Sequence, residues 1–247
     1  MKQTLFLLLC ISSLGANAQA VRDTTERKNL IKLDLTSYWL YRNSMVFVYE
    51  RVNQAHQSWA ITGGFQQLPE LGTLTDNVSI TREKKATGLK VGGEYRFYLQ
   101  KENKYKAPHG VYIGPYSSFH NYSNNRDIEV DNNGVIETAQ LRSDLNILNI
   151  GVQLGYQFLI NNRWSIDLVF MGPSVSNYSF KSSIEGTYNF NPDDITNEVI
   201  LGLIDKFPGL EEFLNEGEIT SKGKTNHWGY GYRYQLQIGY HFGRKKK

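Results

Sequence analysis

The sequence predicts an all-β chain: an eight-stranded antiparallel up-and-down β-barrel that crosses a lipid bilayer, with a short helical insertion in its last long loop. Three observations lead there. From Trp228 to Phe242 the even positions read Trp228, Tyr230, Tyr232, Tyr234, Leu236, Ile238, Tyr240 and Phe242, whereas the odd ones read Gly229, Gly231, Arg233, Gln235, Gln237, Gly239 and His241. A side-chain repeat of two marks a strand with unlike faces, here about twice the usual soluble length and apolar without a break on one side. The alternation recurs along much of the chain, and the segments between strands sort by parity into short and long ones, as the two rims of a transmembrane barrel do. Finally, after the first residues no run approaches the roughly 18 apolar residues of a membrane helix, so strands must make the crossing.

The N-terminus reads separately. Lys2, the apolar run from Leu5 to Ile11 and Ala16-Asn17-Ala18 give a charged start, a hydrophobic stretch and an A-x-A cleavage site, a secretory signal peptide over residues 1–18. Cys10, the single cysteine, lies within it behind Leu9 rather than the small residue of a lipoprotein site, so the mature chain has no thiol chemistry. The formal net charge of +3 becomes +2 without Lys2, the leader's one charge, a balance that points to no polyanionic partner and no nucleic acid. Residues 19–28 read as a polar lead-in, 29–242 as the barrel and 243–247 as a solvated basic tail.

The first strand is expected over residues 29–41, with Ile31, Leu33, Leu35 and Trp39 outward and Lys32, Asp34 and Thr36 inward, followed by a tight turn at Arg42-Asn43. The second, ending near Val52, turns Phe47 and Tyr49 out and Glu50 in; the third carries Trp59, Ile61 and Phe65 around Gly63-Gly64. After a long polar loop the fourth sets Leu89, Val91, Tyr95, Phe97 and Leu99 against Lys90, Gly92, Glu94, Arg96 and Tyr98. A fifth starts at Gly110 and ends near Tyr122; Pro115 and alternating small residues leave its faces unassigned. Residues 124–143 read as a second long loop with a turn signal at Asn132-Asn133-Gly134.

The sixth strand has Leu148, Ile150, Val152, Leu154, Tyr156 and Phe158 on one face and Asn149, Gly151, Gln153, Gly155 and Gln157 on the other. The seventh turns Trp164, Ile166, Leu168 and Phe170 out and Asp167 in, and the longest loop follows over residues 173–226. A helix should start in it: Asn191 is an N-cap, Pro192 suits the first helical position, Asp193 and Asp194 complement the positive helix end, and Ile195, Val199, Leu203 and Phe207 recur every four residues. Charges and glycines share one face of the strands, as in the crowded interior of a narrow barrel; a soluble lipocalin-type barrel would turn its apolar face in.

This pattern resembles the small eight-stranded outer-membrane barrels of the OmpA and OmpX type, and Ile31-Lys32-Leu33-Asp34-Leu35 with Tyr49-Glu50-Arg51 is similar to a barrel family common in Bacteroidetes, largely of unknown function. The resemblance covers about residues 29–242. It implies the outer membrane of a Gram-negative bacterium, both termini in the periplasm, and contact with outer-membrane lipid and lipopolysaccharide. It also implies assembly by the barrel-assembly machinery, which reads a final strand ending in an aromatic such as Phe242. The chain departs from that signal by continuing past Phe242 and by having Gln237 where glycine is frequent.

Inward Lys32, Asp34, Glu50, Lys90, Glu94, Arg96, Asp167 and Arg233 are candidates for an interior charge network rather than a conduction path, because eight strands leave room only for side chains and opposite charges pair there. An enzymatic alternative, a lipid A-modifying hydrolase, would use His120 with Ser118 on one strand face and Asp127 or Glu129 nearby. His56, His109 and His241 fall at the other rim, and His227 lies on a strand far around the ring from His120, so a hydrogen-bonded structural histidine is the plainer reading. The expected function is therefore non-enzymatic, through outer loops that meet a protein partner or ligand, or in envelope integrity. The stripe Ile195, Val199, Leu203 and Phe207 needs a cover: its own barrel mouth, the outer leaflet or a partner. No metal-ligand spacing and no cofactor motif occurs, and the aromatics at strand ends, including Trp39, Tyr49, Trp59, Trp164, Tyr230 and Tyr240, read as interfacial.

Overall fold

The computed structural model describes residues 28–68, 78–132, 135–160, 163–186 and 224–243, together with Ile195, Val199 and Leu201. Among them are β1 (Asn29–Asp34), α1 (Leu35–Leu40), β2 (Arg42–Gln54), β3 (Gln57–Gln67), β4 (Val78–Tyr98), β5 (Gly110–Asn132), β6 (Val135–Ile160), β7 (Trp164–Met171), β8 (Pro173–Glu185), β9 (Lys224–Tyr232) and β10 (Gln235–Phe242). Every pairing is antiparallel, and β1-β2-β3-β4-β5-β6-β7-β10 closes on itself as a ring of eight strands, with Leu33 set between Phe47 and Ile238. The connections β2–β3, β4–β5 and β6–β7 gather at one end, the lower end. At the upper end β4, β5, β6 and β8 run on beyond the closed ring.

Alternation assigns the faces. Ile31, Phe47, Ile61, Phe65, Leu89, Val91, Phe97, Val152, Leu154 and Phe158 stand exposed on the outer wall, while Lys32, Glu50, Lys90, Glu94, Arg96 and Asp167 are buried inside. β5 turns Tyr112, Tyr116 and Tyr122 inward and Ile113 and Phe119 outward. Near the lower rim aromatic rings meet across the outer wall: Tyr49 with Trp59 at 5.6 Å, Tyr156 with Phe158 at 4.4 Å and Trp164 with Tyr240 at 5.3 Å between centroids.

The elements differ from the sequence reading in five places. The first strand ends at Asp34, not near Tyr41, because Asp34 caps α1: its Oδ1 accepts from the Ser37 amide at 3.1 Å and its Oδ2 from the Ser37 hydroxyl at 2.6 Å. Short polar side chains that bond their own backbone in this way compete with a strand ladder, so Leu35 and Trp39 lie on a helix, Trp39 still exposed. Residues 124–132 and 135–143 are ladder rather than loop: β5 and β6 stay in one register from Gly110–Gln157 to Asn132–Val135, and Asn133 and Gly134 of the expected turn lie outside the described residues. β4 likewise starts at Val78.

The seventh strand does not stop near Phe170 but continues as β8. Its ladder to β6 passes from Gly155–Val169 to Leu154–Met171, and Phe170 and Met171 both face out. This is a β-bulge, one extra residue on one strand; below it odd residues point in, above it even ones such as Ser174 and Ser176. The last strand is two strands, interrupted at Arg233-Tyr234 beside the bulge, where the Arg233 amide donates to the Gly172 carbonyl at 2.8 Å.

β6 passes through two environments. Along its lower part Asn149, Gly151, Gln153, Gly155 and Gln157 face in, and Ile150, Val152 and Leu154 face out. Along its upper part the inward residues are Ala139, Leu141, Leu145 and Ile147, and the outward ones Gln140, Arg142, Asp144 and Asn146. The upper inward set packs with Tyr122, Ile128, Val130, Tyr178, Phe180 and Ile184 into a buried apolar cluster. The soluble-type arrangement, apolar inside and polar outside, is thus adopted by the upper part alone.

Candidate functional site in the ring interior

The lower interior is filled with charge. Arg96, fully buried, donates from Nε to Glu94 Oε1 at 2.7 Å, pairs through Nη2 with the same carboxylate, and reaches Asp167 Oδ2 at 2.5 Å and Glu50 Oε2 at 3.4 Å through Nη1. Lys32 pairs with Glu50 and with Asp167, the latter at 2.5 Å, and donates to Gln157 Oε1 at 3.0 Å. Above them Arg233 Nη2 meets Glu94 Oε2 at 2.6 Å, and Lys90 Nζ meets Asp34 Oδ2 at 3.1 Å. Gln235 joins the two ends, donating to Asp34 at 2.8 Å while accepting from Arg233 Nε at 2.8 Å. Lys32, Asp34, Glu50, Lys90, Glu94, Arg96, Asp167 and Arg233 therefore stand in one connected network of formal charge zero.

Neutral groups complete it. The Tyr112 hydroxyl donates to Asp167 Oδ1 at 2.7 Å, the Tyr98 hydroxyl to Glu50 at 2.9 Å, and the Ser58 hydroxyl to Glu50 at 2.5 Å. The Tyr112 ring also carries the Arg96 guanidinium 4.4 Å from its centroid. Gly155 is what makes room: a Cβ there would collide with the Tyr112 hydroxyl. Tyr112, Ser37 and Ser58 are not among the site residues that the sequence predicts. The phase of the fifth strand was open from sequence, and Ser37 enters only because α1 replaces strand; inward parity alone would have found Ser58.

Above the network lies a cavity of about 620 Å³. Its floor holds Lys90 and Arg233, and its upper wall includes Ile147 and Tyr178 of the apolar cluster. On its wall Ser118 Oγ stands 3.2 Å from His120 Nε2, and His120 Nδ1 is 3.3 Å from the Tyr122 hydroxyl, which accepts from Gln66 Nε2 at 2.6 Å. Asp127 and Glu129 do not join this pair; their odd positions on β5 put them on the opposite face from His120. His227 is on β9, whereas His56, His109 and His241 are at the lower end.

Of the expected loop helix, Ile195, Val199 and Leu201 are described, each with helical backbone. Ile195 and Val199 are buried in the upper cluster, and Leu201 is exposed. Asn191, Leu203, Phe207 and the helix bounds lie outside the described residues.

Comparison with curated proteins gives no match. Among solved structures, a major outer membrane protein from Thermus thermophilus aligns at a TM-score of 0.35 and 10% identity, covering 87% of this chain and 98% of that one, a likeness too slight to carry inference. Residues 73–183, which run through β4, β5, β6 and β7 and most of β8, are similar to the family described as "Protein of unknown function (DUF3575)", a match over somewhat less than half of the chain.

Proposed function

We propose that this chain is a non-enzymatic outer-membrane β-barrel of a Gram-negative bacterium, with both termini periplasmic and its lumen closed to conduction. Its upper hairpin and last loop would act outside the cell, on a protein partner, a ligand or lipopolysaccharide, or in envelope integrity. The observation that carries this reading is the inversion along β6: side chains that water would drive inward stand on the outer wall of the ring, Val152 at 60% exposure among them, while ion pairs fill the inside. Hydrocarbon is the surrounding that makes such an outer wall favourable, and a closed ring satisfies the backbone within it. Higher up the same strand returns to apolar inside and polar outside, as in water. The leader over residues 1–18, the final strand ending at Phe242, and the resemblance to OmpA- and OmpX-type barrels agree with it.

The test is purification from separated membranes of a Gram-negative host, with gel mobility compared before and after boiling. Outer-membrane recovery and a heat-dependent mobility shift are expected, without single-channel conductance in planar bilayers; a soluble periplasmic product, or steady open channels, would overturn the reading. The hydrolase alternative draws on the Ser118–His120 contact, but the other nitrogen of His120 faces a tyrosine hydroxyl instead of a carboxylate. Deacylation of labelled lipid A by the wild type, abolished in Ser118→Ala, would replace the non-enzymatic reading.

A further inference from the structure

Among the described residues, the ring that is closed below is open at its side above. β1 stops at Asp34, so among the described residues no strand pairs with Ser44–Val46 of β2 on that side, and β9 pairs with β8 alone. α1 stands in the gap and takes over one position of the missing ladder, where the Leu236 amide donates to Thr36 Oγ1 at 2.7 Å. The opening lies at membrane height on the reading above: Tyr230 of β9 pairs with Val175, which pairs in turn with Ile150, and all three are exposed on the outer wall.

The cavity behind the seam is amphipathic. Leu40 of α1 and Tyr230, Tyr232 and Tyr234 of the wall, all exposed, are part of its lining, so it continues from the interior to the surface through the seam. Among the described residues the charged groups that line it are Lys90 and Arg233, and none is a carboxylate, since Asp34 and Glu94 approach these cations from below. Each cation keeps donors in reserve. Arg233 uses Nε and Nη2 on Gln235 and Glu94, leaving Nη1 without a partner among the described residues, and Lys90 uses two of its three N–H groups on Asp34 and Ser37. Opposite them Ile147 and Tyr178 offer apolar surface.

We propose that this cavity binds one anionic amphiphile from the bilayer, its phosphate or carboxylate headgroup held by Lys90 and Arg233 and its apolar chain leaving through the seam between Leu40 and Tyr232. The inference rests on the membrane reading of the ring. About 620 Å³ holds a headgroup and the first part of a chain but not a whole diacyl lipid, so the rest of the chain lies on the outer wall, where hydrocarbon already is. A free anion would gain the same two cations without the apolar surroundings; a cationic amphiphile would gain the apolar surroundings and be repelled by the cations.

The experiment uses the full mature chain in a neutral maltoside detergent, titrated calorimetrically with dodecyl phosphate, inorganic phosphate and dodecyltrimethylammonium. Saturable one-to-one binding of dodecyl phosphate is expected, with neither of the others binding over the same range. Lys90→Gln and Arg233→Gln should each weaken it about tenfold, the scale of one charge-assisted hydrogen bond, and Arg233→Lys should keep most of it. Inorganic phosphate binding as tightly would make this an anion site without side access, and equal binding of both amphiphiles would make it adsorption to the outer wall. Either result overturns the proposal without any variant having to fold. Flotation with phosphatidylcholine vesicles reports separately on the membrane: a chain that floats but does not bind dodecyl phosphate fails this inference alone, and one that does not float fails the membrane reading beneath it.

Discussion

Gln153 and Leu141 point inward from the same strand, Gln153 from the wall of a ring filled with ion pairs and Leu141 into packed aliphatic and aromatic side chains. Their outward neighbours are reversed in step, Val152 below and Arg142 above. On the proposed membrane reading, what separates the two regions is not the strand but what surrounds it. Where the surroundings are apolar, outward apolar groups gain nothing by turning in, and the interior is left to groups that satisfy one another. Where the surroundings are water, the hydrophobic effect again sorts apolar groups inward. The two interiors should then fail differently, and the failure can be measured.

The largest effect is expected at Arg96. Its guanidinium touches three carboxylates, those of Glu50, Glu94 and Asp167, with no exposure to solvent. A buried ion pair adds little net stability, but breaking one by removing a single partner leaves uncompensated charge and costs about 3–5 kcal/mol. Arg96→Met should lower the urea midpoint of the detergent-folded chain accordingly, and adding Asp167→Asn should recover part of the loss. A loss of under about 1 kcal/mol, the scale of an exposed pair, would show that water reaches these groups and that the lower interior is not closed.

The outer wall should respond next. On the proposed membrane reading Val152→Arg places a cation against hydrocarbon and should cost about 2–4 kcal/mol near the midplane, whereas Arg142→Leu, on the same face of the same strand higher up, should stay within about 0.5 kcal/mol. Refolding yield into vesicles and the fraction showing heat-modifiable mobility compare the two directly. Equal costs would remove the apolar boundary from between them.

This comparison also explains what could be read from the sequence. The faces of the lower strands were legible because their two sides differ in kind over many residues: Trp228 to Phe242 and Leu148 to Phe158 each keep one phase. The upper strands alternate as well, with Ala139, Leu141, Leu145 and Ile147 on odd positions, but their phase is opposite to that of Leu148, Ile150 and Val152. Read under a single rule, apolar means outward, residues 124–143 lose their pattern at the point where the phase changes. β8 was hidden in the same way, since the bulge at Phe170 moves its inward residues from odd to even positions and begins them with Ser174 and Ser176. The charged site was legible residue by residue, because a charge on the inward face of a narrow ring has nowhere else to go. Its tyrosines and the helix that ends β1 depended on contacts distant in sequence.

The smallest effect is expected within the upper cluster. Leu141 has no exposure to solvent and packs among side chains from β5, β6, β8 and the last loop. Leu141→Ala should cost about 2 kcal/mol, the low end for such truncations, because strand ends beyond a closed ring relax toward the cavity more readily than the ring itself does. The cost should also be local. Upper and lower interiors share strands but not side-chain contacts of one kind, so they are expected to open as separate cooperative units. Hydrogen exchange of the folded chain in detergent would show faster exchange over residues 122–130 and 139–147, with unchanged protection over 150–158. If protection fell equally along the whole of β6, the two regions would form a single cooperative unit, and the division drawn at Asn149 would describe composition without describing stability.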